Sequence, residues 1–92
     1  MDNGSLYLVP NYLGNSSYYK FHKTFVEIIN NIQYFILENE KPGRAFIKAI
    51  CPKKNQAGLI ISTLNKFTEK ESIKDFLKPC FQGNDIALIS DA

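Results

Sequence analysis

Leu6-Tyr7-Leu8-Val9-Pro10, followed by Asn11-Tyr12-Leu13-Gly14-Asn15-Ser16-Ser17, is the stretch whose reading decides the fold. Four apolar or aromatic residues in succession, closed by a proline, predict a short buried strand. It is expected to end at or before Pro10, because proline has no N–H to give to a sheet ladder. The residues after it are polar and turn-prone. Gly14 is free to take positive φ, and Ser16 or Ser17 can cap a following helix. A buried strand, a glycine-containing loop and a helix N-terminus, in that order, build ligand sites at the carboxyl ends of open α/β sheets.

Working outward, residues 19 to 33 carry helical periodicity. Phe21, Phe25, Ile28, Ile29 and Ile32 fall on one apolar stripe, with Lys20, Lys23, Glu27, Asn30 and Asn31 largely off it. His22 lies beside that stripe with no second histidine in the chain, so no partner is evident to orient it for acid/base work. Tyr34-Phe35-Ile36-Leu37 is continuous and apolar, as a central parallel strand should be. It delivers Glu38-Asn39-Glu40 to its carboxyl end, where Glu38 and Glu40 are candidates for an acid/base pair, weighed against ordinary solvated carboxylates. A second helix is expected from Arg44 to about Ile50, with Ala45, Phe46, Ala49 and Ile50 inward and Pro52 ending it.

Lys53-Lys54-Asn55-Gln56 is a loop in which two lysines hint at phosphate contact only faintly. A third strand is expected over Gly58–Thr63. Thr68-Glu69-Lys70-Glu71 fits a capping box, opening a helix whose apolar face is Ile73, Phe76, Leu77 and Cys80. Pro79 should kink or end that helix, and Gly83 should stop it. Asp85–Ser90 is the fourth strand.

Four strands separated by three helical segments predict an α/β fold: a three-layer, parallel sheet of about four strands with right-handed crossover helices. Ninety-two residues make one domain. The sequence stops at the carboxyl end of a strand, where such a protein would carry a further loop and helix. The expectation is therefore that residues 1–92 are the N-terminal part of a longer protein and expose apolar surface where the remainder packs.

Composition narrows the classes. A 45% hydrophobic, 22% charged chain has the make-up of an ordinary globular domain. A net charge of +2, from 11 basic and 9 acidic residues, is too balanced to argue for nucleic acid by itself. No apolar run approaches the roughly 20 residues that span a bilayer, and Met1-Asp2-Asn3-Gly4-Ser5 is unlike a signal peptide. No membrane association and no metal are expected. Cys51 and Cys80 have neither C-x-x-C nor metal-ligand spacing and read as reduced structural thiols of a cytoplasmic protein.

The two ends of the chain carry a resemblance. Leu6-Tyr7-Leu8-Val9-Pro10 with Leu13-Gly14-Asn15 resembles the opening of the tetrapyrrole methylase superfamily. The nearest branch is that of bacterial methyltransferases acting on a ribose 2′-hydroxyl of small-subunit ribosomal RNA, which begin with a strand and a Val-Pro-Thr-Pro-Ile-Gly-Asn loop. Asp85-Ile86-Ala87-Leu88-Ile89-Ser90-Asp91-Ala92 resembles the same family's fourth strand, which ends Ser-Asp-Ala. The order and spacing of the elements between them agree, so the resemblance covers nearly the whole chain. It implies an S-adenosylmethionine-dependent methyltransferase whose N-terminal domain, present here, forms one wall of the cleft and whose C-terminal domain supplies most of the cofactor pocket. Carried over by motif, Pro10, Gly14 and Asn15 match the first cofactor-binding loop, and Ser90, Asp91 and Ala92 the start of the second. Glu38 and Asp91 are the carboxylates at strand ends that could act as the catalytic base. Ribosomal RNA and a homodimer partner are implied for the full-length protein.

The departures are specific. Asn11-Tyr12 replaces the family's Thr-Pro, Glu38-Asn39-Glu40-Lys41 replaces Glu-Asp-Thr-Arg, and Asn65-Lys66-Phe67-Thr68-Glu69 lacks the family's histidines. Losing the arginine exchanges a bidentate guanidinium for a point charge. Two other readings stand beside this one. The first is a non-catalytic α/β module that binds or dimerises through an exposed sheet edge or face. The second is a methylase of a small, tetrapyrrole-like molecule, against which the absence of a Val-Gly-x-Gly-Pro-Gly run argues.

Overall fold

The computed structural model describes residues 3–11 and 23–91. In chain order these form β1 (Leu6–Asn11), α1 (Lys23–Asn30), β2 (Tyr34–Leu37), α2 (Glu40–Ile50), a 3-10 turn (Gln56–Gly58), β3 (Ile60–Thr63), α3 (Lys70–Phe81) and β4 (Ile86–Asp91). The four strands make one sheet in the order β1-β4-β2-β3, and every pairing is parallel. The expected α/β architecture with helices between parallel strands is therefore present.

Side chains alternate across the sheet. On one face Val9, Phe35, Leu37, Ala87 and Ile89 pack with Ile29 and Ile32, at and just beyond the end of α1, and with Phe46, Ile47 and Ile50 of α2, forming the main core. On the other face, Phe76 and Pro79 of α3 approach Tyr34, Ile36, Ile60, Ser62 and Ile86. That layer is thinner, and α3 has no fully buried residue. Two helices on one side and one on the other follow from strand order. The first two connections step across the sheet in one direction, and the third steps back to insert β4 between β1 and β2. With one handedness for all crossovers, the reversal sends α3 to the opposite face.

Several local expectations are corrected. The first strand runs through Pro10, which pairs with Ser90, and on to Asn11. The reason is its place at the sheet edge. The Ser5 carbonyl accepts from Ile86 N–H on β4 at 2.9 Å, so alternate residues Tyr7, Val9 and Asn11 turn toward β4. Leu6, Leu8 and Pro10 turn to the free edge, where a missing N–H costs no ladder bond. For the same reason the strand is only half buried: Val9 lies in the core, while Leu6 and Leu8 are 43% and 73% exposed.

The second helix starts at Glu40, earlier than expected, because Pro42 falls in its first turn, where no backbone donor is needed. Its inward face is Gly43, Phe46, Ile47 and Ile50; Ala45 is exposed and Ala49 half-buried. β3 begins at Ile60, since residues 56–58 form the 3-10 turn. No capping box forms. The Thr68 hydroxyl is occupied by the turn before α3, and Glu69, not Thr68, holds the N-cap without a side-chain bond. Pro79 stays inside α3 and does not end it, lying late enough that a single lost bond is tolerated. The helix stops where expected. Gly83 takes φ 91°, Gly83 N–H donates to the Cys80 carbonyl at 3.1 Å, and Asn84 N–H donates to the Pro79 carbonyl at 2.9 Å. This pair of bonds is a Schellman motif.

Candidate functional site

In an open parallel sheet a ligand crevice forms where neighbouring strands send their outgoing chains to opposite faces. β2 leads into α2 on the main-core face, and its neighbour β3 leads into α3 on the other. The crevice is therefore expected near their carboxyl ends, and a cleft of about 590 Å³ lies beside that point, over β2 and β4 and bounded by the chains leaving β2 and β3. Its floor is Ile36 and Leu88, register partners on adjacent strands. Glu38 and Asn39, leaving β2, form one wall, and Leu64, Asn65, Lys66 and Phe67, leaving β3, form the other.

The second wall is fixed by a dense set of bonds. Leu64 N–H donates to the Leu37 carbonyl at 2.8 Å, continuing the β2–β3 ladder. Beyond it, Asn65 N–H donates to Thr68 Oγ1 at 2.9 Å, and Phe67 N–H donates to Asn65 Oδ1 at 2.9 Å. Thr68 N–H returns to the Asn65 carbonyl at 3.0 Å, and the Thr68 hydroxyl donates to the Thr63 carbonyl at 3.2 Å. Short side chains bonding to nearby backbone in this way favour turns over helix. They hold Phe67, a residue 81% exposed, at the mouth of the cleft, and the Lys66 ammonium lies 5.2 Å from the ring centroid.

Neither a protein-family model nor a curated protein matches this chain.

The residues singled out in the sequence fall as follows. Pro10 and Ser90 are register partners, and Asn11 pairs with Asp91, so the ends of β1 and β4 lie side by side. Glu38 N–H donates to the Ile89 carbonyl at 3.4 Å, which sets Glu38 at the end of the neighbouring strand and into the cleft. Gly14, Asn15, Ala92 and His22 lie outside the described residues. Glu40 does not join Glu38 in the cleft. It sits on the first turn of α2, and its carboxylate pairs with Arg44 Nε at 2.8 Å, an exposed i,i+4 pair. Arg44 reaches on to Gln56 Oε1 at 3.2 Å and ties α2 to the 3-10 turn.

Lys54, read as a faint phosphate contact, donates from its ammonium to the Asn30 carbonyl at the end of α1, where helix carbonyls lack partners. Both cysteines are free. Cys51 is buried, its Sγ 3.7 Å from the Val26 carbonyl; burial raises its pKa, and nearby Lys54 partly offsets this. Burial also lowers the Lys54 pKa, with Cys51 opposing. Cys80 is raised by burial and then by the Asp85 charge, against a backbone hydrogen bond from Ile86. Raised thiols are poor nucleophiles at neutral pH, so a structural role fits both. Among the described residues no group of three His, Cys, Asp or Glu could hold a metal, and no helix is long and apolar enough to cross a membrane.

Lys66 and Phe67, which the sequence offered only as part of a segment lacking the family's histidines, are cleft residues that sequence reasoning did not single out. A signal was present: Phe67 is an isolated aromatic in a polar run, off the periodicity of the strand before it and the helix after it.

Proposed function

We propose that this chain is the N-terminal domain of an S-adenosylmethionine-dependent methyltransferase of the tetrapyrrole methylase type, acting on a ribose hydroxyl of small-subunit ribosomal RNA in the full-length protein. The observation that carries this reading is the register of β1 with β4. The two stretches that bear the resemblance are about 80 residues apart in sequence, yet Pro10 lies beside Ser90 and Asn11 beside Asp91. They fall at the carboxyl edge of a parallel sheet, the edge at which such folds bind ligands. The donor set is compatible with a sulfonium cofactor: Glu38 brings a carboxylate to the cleft over an apolar floor, and carboxylates favour nearby cations.

When bound, the cofactor supplies an electrophilic methyl group. The chain's own task is then positioning, since an in-line displacement gains most from holding the acceptor aligned. Pro10, Ser90 and Asp91 at the ends of β1 and β4 would hold the cofactor, with Gly14, Asn15 and Ala92 added by the resemblance. Glu38 at the end of β2, or Asp91 at the end of β4, would accept the proton of an acceptor hydroxyl.

Calorimetric titration of S-adenosylmethionine into the 92-residue chain and into the full-length product of its gene tests the proposal. Binding by the long form alone is the expected result and identifies half a site here. Binding by neither rejects the methyltransferase reading. It would favour an interaction module, for which the free edge with exposed Leu6 and Leu8 is the supporting observation.

A further inference from the structure

We propose that the cleft over β2 and β4, walled by the chains leaving β2 and β3, binds a nucleobase, with the ring of Phe67 as its stacking platform. Phe67 is among the most exposed large apolar residues of the described chain, at 81%, yet it is carried on a hydrogen-bonded turn. Four hydrogen bonds within residues 63–68 fix the turn that carries it. Here the turn keeps the ring at the mouth of a cleft whose floor, Ile36 and Leu88, is apolar.

The chemistry of the surroundings selects the ligand. The Lys66 ammonium stands over one face of the ring at 5.2 Å, leaving the other for a planar partner. Base–aromatic stacking is sequence-tolerant, because every base offers a π face. A base seated against Phe67 meets the Glu38 and Asn39 wall across the cleft. A carboxylate and an amide there can accept from and donate to the polar edge of a base, which an aliphatic or simple aromatic ligand would not use. The Lys66 charge favours a base that carries phosphate over a bare one. A free nucleotide and a single RNA strand both offer this combination.

The inference shares Glu38 and the cleft with the methyl-transfer reading, but it needs neither a sulfonium cofactor nor the ends of β1 and β4. The chain has no tryptophan, so Phe67→Trp provides a single fluorescent reporter at the site while keeping a stacking ring. Adenosine monophosphate and a six-nucleotide single-stranded RNA are titrated separately into this variant, and into the parent chain and Phe67→Ala by calorimetry. The expected result is quenching of the tryptophan, binding by the parent, and a loss of about tenfold or more in Phe67→Ala, the worth of one stack. Equal affinity for the two probes identifies a nucleotide site; RNA alone identifies a strand site. Parent-like binding by Phe67→Ala overturns the proposal, as does the absence of binding by both probes. Quenching that depends on protein concentration without ligand also overturns it, in favour of a second copy covering the ring. Since Phe67 is exposed, its variants should melt with the parent. Failure to bind S-adenosylmethionine would leave all these outcomes unchanged.

Discussion

Gly43 shows how one missing methyl group sets the distance between a helix and a sheet. It lies in the first turns of α2, where alanine would be favoured by about 1 kcal/mol on helix propensity. A Cβ there would stand 2.7 Å from Leu37 Cδ1, 2.9 Å from Cδ2 and 3.0 Å from Cγ. Leu37 is fully buried between β3 and β4 on the main-core face, so it cannot swing clear without displacing its neighbours. Overpacking of this kind costs about 1–3 kcal/mol and outweighs propensity. Gly43→Ala should therefore lower the urea midpoint; a raised midpoint would mean that α2 can move off the sheet. The cysteines make a second prediction at this scale. Their folded pKa values are raised, so above the ordinary thiol value of about 8.5 the unfolded chain ionises first and binds fewer protons. Stability then falls with rising pH up to the folded values and is unaffected by these groups below that window. Unfolding curves collected from pH 7 to 10 should show a decline that is shallower in the Cys51→Ala, Cys80→Ala double variant. Identical slopes would show that the thiols do not contribute.

Among the elements, α3 is the one whose limits depend most on its ends. It packs no fully buried residue against the sheet, so tertiary contacts fix its length less than they do for α2. The Schellman bonds at Gly83 stop it and return the chain toward β4, while Gly4 N–H donates to the Cys80 carbonyl at 2.7 Å and Ser5 N–H to Asp85 Oδ1 at 2.8 Å. The start of β1 is thus fastened to the end of α3 through the same short turn. At φ 91° a side chain is strained, and Gly83→Ala should cost about 1–2 kcal/mol. Hydrogen exchange should then quicken in residues 79–86 before it changes in α2; uniform quickening would mean that the turn is coupled to the whole fold. The stop at Gly83 was legible in the sequence because glycine at that place has one conformational use. The start of α3 was not. Thr68 and Glu71 satisfy the spacing of a capping box, but the Thr68 hydroxyl bonds backward along the chain, to Asn65 and Thr63, a competition that spacing alone does not reveal.

At the scale of the whole molecule, the sheet is unequally covered. The face under α1 and α2 is closed, whereas the face under α3 leaves Leu8 and Ile60 mostly exposed and Leu88 half-buried beside Leu8. Together with Leu6, Leu8 forms an apolar strip along a free edge, the kind of surface through which chains associate. The 92-residue chain should therefore self-associate at high concentration. Leu8→Lys should suppress this in sedimentation while shifting stability by no more than about 0.5 kcal/mol, as surface substitutions do. A parent chain that stays monomeric would show the strip to be inert. What the sequence by itself determined is the succession of strands and helices, most stripe residues such as Ile29, Ile32, Phe46 and Ile50, and the stop at Gly83. Periods of 2 and 3.6 residues and glycine chemistry are written locally. Strand order has no local signature, because it is decided by which distant edges pair. Only the tertiary structure inserted β4 between β1 and β2. That single choice made β1 an edge strand able to contain Pro10, brought Pro10 against Ser90, and sent α2 and α3 to opposite faces. It thereby opened the cleft at Glu38 and Phe67, whose two walls come from strands that the sequence reads only one at a time.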